Sequence, residues 1–339
     1  MFKSINIPLL TSAMFRSAVV LLCLCSSSIA SGQERPRSAP DQDDIEVIKI
    51  DTDLIPIDVT VTNANGEIVR TLRKEDFKLF EDGIERPISF FSVEKKGDAL
   101  RPVAIVFALD ISGSMTIEEI ERLRVAVRTF VSRMANRTSV FAVIAFGMEV
   151  KTLQGFTNDQ QKLERVFDRI ARDPSGLSTH AYDAVDDAIR LLVRKAPRTK
   201  ERRLMKRGVV LVSDGFPVGD TVAPATVIER ANAADVSVYT VTLPSFSRVP
   251  MARSRAPLPT PLDVSGLADK TGGINIYATD KDFESLFSAL AEDVASSYIL
   301  AFYPPPENRK DGKVHSIRVE VARGLTVRQS RPSYTSSDK

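Results

Sequence analysis

Two kinds of hydrophobic spacing follow one another along the chain. Ile45, Val47, Ile48 and Ile50, and then Ile55, Ile57, Val59 and Val61, alternate with polar residues as half-buried strands do. Asn65-Gly66 comes next and predicts a type I′ hairpin turn. Phe77-Lys-Leu-Phe80, Glu81-Asp82-Gly83 and the run from Pro87 to Val93 repeat the strand, turn, strand pattern, so residues 45–100 predict a small β module. From Val103 the texture changes. Val103 to Leu109, Val140 to Phe146 and Gly208 to Ser213 are apolar on both faces, the mark of central parallel strands. Helical spacing separates them: Ile117, Ile120, Leu123, Val127, Val131 and Met134, then Leu163, Val166, Phe167 and Ile170, then Val185, Ile189 and Leu192. Val150 to Phe156 predicts an edge strand, residues 224–234 a helix, Val236 to Leu243 and Ile274 to Tyr277 strands. Phe283, Leu286, Phe287, Leu290 and Val294 predict a final amphipathic helix.

Strands alternating with helices imply an α/β class fold, a doubly wound and mostly parallel sheet over residues 101–298. Such a sheet holds its ligand beyond the carboxyl ends of its strands. Tyr298 to Tyr303, His315 to Val321 and Leu325 to Arg328 return to strand spacing without intervening helices. Residues 299–332 are therefore expected to pair with the N-terminal β module. Together the two flanks would form a smaller all-β module, followed by a tail at 333–339.

The first residues carry a different signal. Lys3 and Arg16 are the only charges before Glu34, Ala18 to Cys25 is a short apolar core, and Ser28-Ile-Ala30 fits a small-x-small cleavage site. Residues 1–30 thus predict a secretory signal peptide cut after Ala30, with 31–44, which contain Pro36 and Pro40, as a flexible leader. Acylation at Cys23 or Cys25 fits less well, because each follows a leucine where a lipoprotein carries a small residue. The apolar run is too short to span a bilayer, so the mature chain is expected to have no stable transmembrane span and to lie in the periplasm or outside the cell.

That cut changes the chemistry available. It leaves 44 of the 46 basic residues against 44 acidic ones and removes both cysteines. Disulfides, thiolate catalysis and cysteine metal sites are excluded from the mature chain. The two histidines, His180 and His315, are too far apart in sequence to suggest a His-rich zinc site. A balanced charge gives no reason to expect nucleic acid as a partner.

Candidate chemistry lies where the buried strands stop. The first ends in Asp110-Ile-Ser112-Gly-Ser114, the third in Asp214-Gly215. Alternate residues of an extended turn can aim Asp110, Ser112 and Ser114 at one point, Asp214 adds a second carboxylate from a neighbouring strand end, and Thr179, just before a helix, offers another hydroxyl. Oxygen donors of this kind suit a hard divalent cation completed by water. Asp110 could instead cap the following helix. A phosphotransfer aspartate is a further alternative, but Ser112 stands where its second acid would be and the nearby loops carry no lysine.

Asp110, Ser112 and Ser114, then Thr179, then Asp214 in Ser-Asp-Gly, resemble the metal-ion-dependent adhesion site of von Willebrand factor type A (VWA) domains, which are Rossmann-like. All five positions are filled in order across residues 101–298. The whole chain resembles bacterial secreted VWA-related proteins, whose flanks look like Leu72 to Ser92 and Ser297 to Pro305. The resemblance implies that Ser112 and Ser114 bind Mg²⁺ (or Mn²⁺ or Ca²⁺) directly and that Asp110 and Asp214 hold it mainly through waters. It implies that Thr179 switches between the two modes and that the sixth position accepts an Asp or Glu carboxylate of a protein partner. Many relatives have two glycines before the threonine; here they are Leu177 and Ser178.

These readings predict a secreted, cation-dependent adhesion or assembly module and not an enzyme. One alternative is a metal-dependent hydrolase, for which only His180 could serve as base. The other is a structural part of an envelope assembly with a purely stabilising cation. Asp183, Asp186 and Asp187 look like a cation cluster but fit helix-start acids on a solvated face, with Asp186 and Arg190 paired at i, i+4. Residues 194–207 carry eight basic residues and one acid; they could hold an anionic polymer or lipid, but as a helix-to-strand link at the end opposite the metal they read better as a solvated connection. Residues 245–262, with three arginines and several prolines, are too long for an ordinary connection and are expected to form a mobile rim on the metal face, the first stretch to test as a specificity loop.

Overall fold

The computed structural model describes residues 54–93, 101–112, 117–134, 138–170, 178–200, 203–243, 259–277, 283–295 and 298–336. All of them belong to one compact unit, Glu46–Lys339. The expected signal peptide, leader and first strand (1–53), Ser114, and residues 245–258 of the expected rim lie outside the described residues.

The chain begins with β1 (Ile55–Thr62), β2 (Lys78–Glu81), β3 (Ile84–Arg86) and β4 (Phe90–Val93). The α/β portion runs through β5 (Val103–Asp110), α1 (Ile117–Met134), β6 (Val140–Phe146), β7 (Val150–Thr157), α2 (Gln160–Ile170) and α3 (Ala181–Lys195). A two-residue hairpin, β8 (Thr199–Lys200) and β9 (Arg203–Leu204), leads into β10 (Lys206–Ser213), α4 (Pro224–Ala234) and β11 (Val236–Thr242). Then come α5 (Pro261–Val264), β12 (Asn275–Tyr277) and α6 (Phe283–Ala295). The chain returns to β structure with β13 (Tyr298–Phe302), β14 (Val314–Glu320), β15 (Thr326–Gln329) and β16 (Ser333–Thr335).

The central sheet has the order β12-β11-β10-β5-β6-β7, parallel except for β7, which pairs antiparallel with β6 at the edge. Its strands are apolar on both faces because both faces are covered. Ile105, Phe107 and Leu109 of β5 pack with α1, α2 and α6, while Ala104, Val106 and Ala108 face α3 and α4. Phe130 of α1 meets Phe107 and Phe141 edge-on at ring-centroid separations of 5.4 and 6.5 Å, so one aromatic cluster joins helix to sheet.

The flanks form a separate all-β module from both ends of the chain. One sheet has the order β15-β1-β13-β4, the other β16-β14-β2-β3. They share a core of Ile57, Val59, Leu79, Leu300, Phe302 and Ile317, among others. β16 opens the stretch expected as a tail: the Tyr334 ring is buried, and its hydroxyl donates to the buried Glu81.

Two local expectations differ from the structure. The turn with two left-handed residues is Asp82-Gly83, with φ of 50° and 80°, and not Asn65-Gly66. At the latter only Gly66 has positive φ (80°), because the Asn63 carboxamide accepts from the Asn65 and Glu67 amides and its carbonyl from Gly66. The basic run 194–207 is not wholly solvated either. Lys206 and Arg207 open β10 and are buried, and Arg101, beside Lys206, is buried with Asp58 of β1 at 2.6 Å. That pair joins the β module to the central sheet.

Candidate functional site

Asp110 is the last residue of β5 and Asp214 follows the last residue of β10, and these strands are adjacent and parallel. Strand direction alone therefore delivers both acids to one edge of the sheet. Each acid shapes its own loop. The Asp110 Oδ1 accepts from the Ser112 amide at 2.9 Å, and the Asp214 Oδ1 accepts from the Phe216 amide at 2.9 Å. These are Asx turns, which let the chain leave a strand abruptly.

Ser213 was not singled out from the sequence, yet it joins the two acids. Its hydroxyl lies 3.0 Å from the Asp110 Oδ2 and 3.3 Å from the Asp214 Oδ1. One hydroxyl proton can serve only one of them at a time. Its position just before Asp214, at a strand end, was the available signal. Asp110, Ser112, Thr179 and Asp214 are all buried. Burial pushes the Asp110 carboxyl above the usual carboxylate range, with the charge of Asp214 acting in the same direction, and burial likewise pushes Asp214 up.

Thr179 is brought to the same edge by backbone pairing. Its amide donates to the Val218 carbonyl at 3.1 Å and its carbonyl accepts from the Val218 amide at 2.9 Å, four residues beyond Asp214. The His180 amide donates to the Gly147 carbonyl just after β6, and the Ile111 amide to the Phe146 carbonyl. Loops after β5, β6 and β10 thus meet with the segment that opens α3. Ser114 lies outside the described residues. Around this edge, Met148, Phe216 and Val218 are large apolar side chains left 49–62% exposed.

His180 is held in place by a carboxylate. It precedes the first residue of α3, and its Nδ1 lies 3.0 Å from the Asp183 Oδ2. Asp183 also accepts from the Thr221 amide and hydroxyl and from the Val222 amide, and Asp220 accepts from the Asp183 amide. His180, Asp183 and Asp220 bring three possible ligand atoms within 4.8 Å of one another, but their hydrogen bonds already account for them as the clamp that holds the 219–222 loop on α3. Asp183, Asp186 and Asp187 do not face one point: Asp186 is buried between Arg190 (2.8 Å) and Arg230 (2.7 Å), while Asp187 is exposed. The solvated-face reading fails for Asp186 because α4 covers that side of α3.

Comparison with known proteins adds a family match. The model of the von Willebrand factor type A domain matches residues 104–284, over half of the chain. No curated protein matches. Among solved structures, a von Willebrand factor type A protein from Catenulispora acidiphila is similar at 12% identity. The match covers 78% of this chain and 74% of that one, with a TM-score of 0.46. The vWF domain of the type V pili tip protein Mfa5 from Porphyromonas gingivalis is 13% identical over 58% of this chain and 96% of its own, with a TM-score of 0.42. Proximal thread matrix protein 1 from the mussel byssus, described with a zinc-occupied MIDAS motif, is 12% identical. Its match covers 63% of this chain and 49% of its own, with a TM-score of 0.45. Among the described residues no helix is long and apolar enough to cross a membrane.

Proposed function

Since the chain belongs to the von Willebrand factor type A family, whose domains commonly act as metal-dependent protein-interaction modules, we propose that it is a secreted adhesion or assembly protein. It would hold a divalent cation, Mg²⁺ (or Mn²⁺ or Ca²⁺), with Asp110, Ser112, Ser114, Thr179 and Asp214. The observation that carries this reading is the pair Asp110 and Asp214, two buried acids at adjacent strand ends close enough to share the Ser213 hydroxyl. Two carboxylates held together in a buried site repel one another and resist ionisation, and a divalent cation offsets both costs. The donors are oxygens only, which suits Mg²⁺, Mn²⁺ or Ca²⁺.

The cation would supply an electrophilic centre to which an Asp or Glu side chain of a partner can bind. The exposed Met148, Phe216 and Val218 beside it supply the apolar contact area that an interface needs around a polar centre. His180, the one candidate base, has its Nδ1 on Asp183 as part of the clamp that holds the 219–222 loop. The test is Mn²⁺ uptake followed by electron paramagnetic resonance, together with capture of envelope and secreted proteins in Mg²⁺ or EDTA. Asp110→Ala should abolish uptake and the EDTA-sensitive part of the capture. Uptake that survives Asp110→Ala, or capture indifferent to both treatments, refutes the reading.

A further inference from the structure

A second feature lies at the other end of the same sheet. A cleft of about 1290 Å³ opens between the C-terminal half of α3, α4, the start of β10 and the β module. Asp214 follows the last residue of β10 and Arg207 is its second residue, so the strand's length, roughly 20 Å at 3.3 Å per residue, separates the cleft from the acidic edge. Whatever binds in it does not touch the cation proposed above.

Among the described residues the lining is basic and contains no acid. From α3, α4 and the approach to β10 come Arg190, Arg194, Arg198, Arg207 and Arg230. From the β module come Arg309, Lys310 and Arg331. Some of this charge is already matched. Arg190 and Arg230 share Asp186, and Arg331 lies 3.5 Å from Asp235. Arg194, Arg198, Arg207 and Lys310 have no carboxylate within ion-pair distance among the described residues. Arg207 is the informative one. It is only 6% exposed; one guanidinium nitrogen donates to the Ala196 carbonyl at 2.6 Å, and its Nε is a buried donor without a partner. Burial and the nearby positive charge of Arg198 depress its basicity. A cation buried with an orphan donor and facing another cation is costly unless an anion joins it.

The walls between these charges are apolar: Leu54, Ile55, Ile189 and Val193, the last 54% exposed on α3. Among the described lining residues the one aromatic ring, Tyr334, is buried against His315 and Phe302 with its hydroxyl held by Glu81, and so offers no stacking face to a base. A phosphate polymer would satisfy the arginines but leave the aliphatic wall in water. A chain that alternates carboxylates with aliphatic side chains satisfies both. We propose that this cleft is a docking site for an extended acidic segment of a partner protein, its carboxylates on the arginines of α3 and β10 and its aliphatic side chains on Leu54, Ile55 and Val193.

The test uses the full chain, in EDTA, and a fluorescein-labelled peptide of alternating Glu and Leu followed by anisotropy. Polyglutamate of equal charge and inorganic polyphosphate serve as comparisons. The Glu-Leu peptide should bind more tightly than either, and part of its affinity should persist at high salt. The exposed double variant Arg194→Glu/Arg198→Glu should weaken it at least about tenfold, as loss of charge-assisted contacts implies. The neutral change Val193→Ser should weaken the peptide and leave polyphosphate unchanged. Equal or tighter binding of polyphosphate, with the peptide indifferent to Val193→Ser, would show a plain anion surface and overturn the proposal. Absence of peptide binding at low salt overturns it too. So does tighter binding after Asp51→Asn/Asp53→Asn, which would assign the cleft to the acidic stretch directly preceding Leu54.

Discussion

The Arg101–Asp58 pair gives a prediction whose size can be worked from its surroundings. Arg101 is 4% exposed; it donates to the Asp58 carboxylate at 2.6 Å and, through Nε, to the Leu204 carbonyl at 2.7 Å. Burial alone would push the Asp58 carboxyl up, but Arg101, Lys206 and Arg331 outweigh it and hold it below the usual carboxylate range. Arg101→Met keeps most of the side-chain volume and removes the charge. Breaking a buried pair from one side usually costs about 3–5 kcal/mol, because a buried charge is left behind. Here two further cations still face Asp58, which places the expected loss near 3 kcal/mol, the lower end of that range. Adding Asp58→Asn to Arg101→Met should cost less than the sum of the two single losses, because the pair is already broken, although Lys206 then also loses the carboxylate it faces. The assay is equilibrium urea unfolding of the wild type, both single variants and the double variant. A loss under about 1 kcal/mol for Arg101→Met, or strict additivity of the two changes, would refute the idea that this pair ties the β module to the central sheet.

Two other changes bear on the fold. Burial pushes the His315 imidazole down, but its hydrogen bonds to Asp82 (2.7 Å) and Asp311 (3.1 Å) outweigh this and raise it above the ordinary histidine value. A raised folded-state value means stability that is complete below the unfolded value of about 6.5 and lost as pH rises through the folded value. The wild-type melting temperature should therefore fall on alkalinisation above that value and do so less in His315→Gln; identical profiles would remove the charged histidine from the account. In the central sheet, Phe130→Ala should cost about 3–5 kcal/mol in chemical denaturation, since a fully buried ring touching Phe107 and Phe141 leaves a cavity that the sheet cannot close.

The α/β fold could be read from the chain because its strands are buried on both faces. Val103 to Leu109 and Gly208 to Ser213 show continuous apolar runs for that reason, and the helices between them keep one apolar stripe each. The strand ends could be read too: an acid directly after an apolar run is visible in sequence, and parallel topology brings Asp110 and Asp214 together. What was not legible depended on tertiary partners. Asp186, Lys206 and Arg207 look like ordinary surface charges until α4 and the β module cover them. Ser213 looks like one more strand residue until the register of β5 and β10 puts its hydroxyl between two carboxylates. Asn65-Gly66 and Asp82-Gly83 carry similar turn chemistry; hydrogen bonding by the Asn63 side chain decided between them.

The pairing of β1 with both β13 and β15 has a mechanical consequence. The first described strand and the last ones lie in the two small sheets, so the central sheet is spliced between β4 and β13. A pull applied at either end of the described chain reaches the β1 hydrogen-bond ladders before it reaches β5 or β10. The small sheets would act as a fuse, yielding under load while the acidic edge keeps its shape.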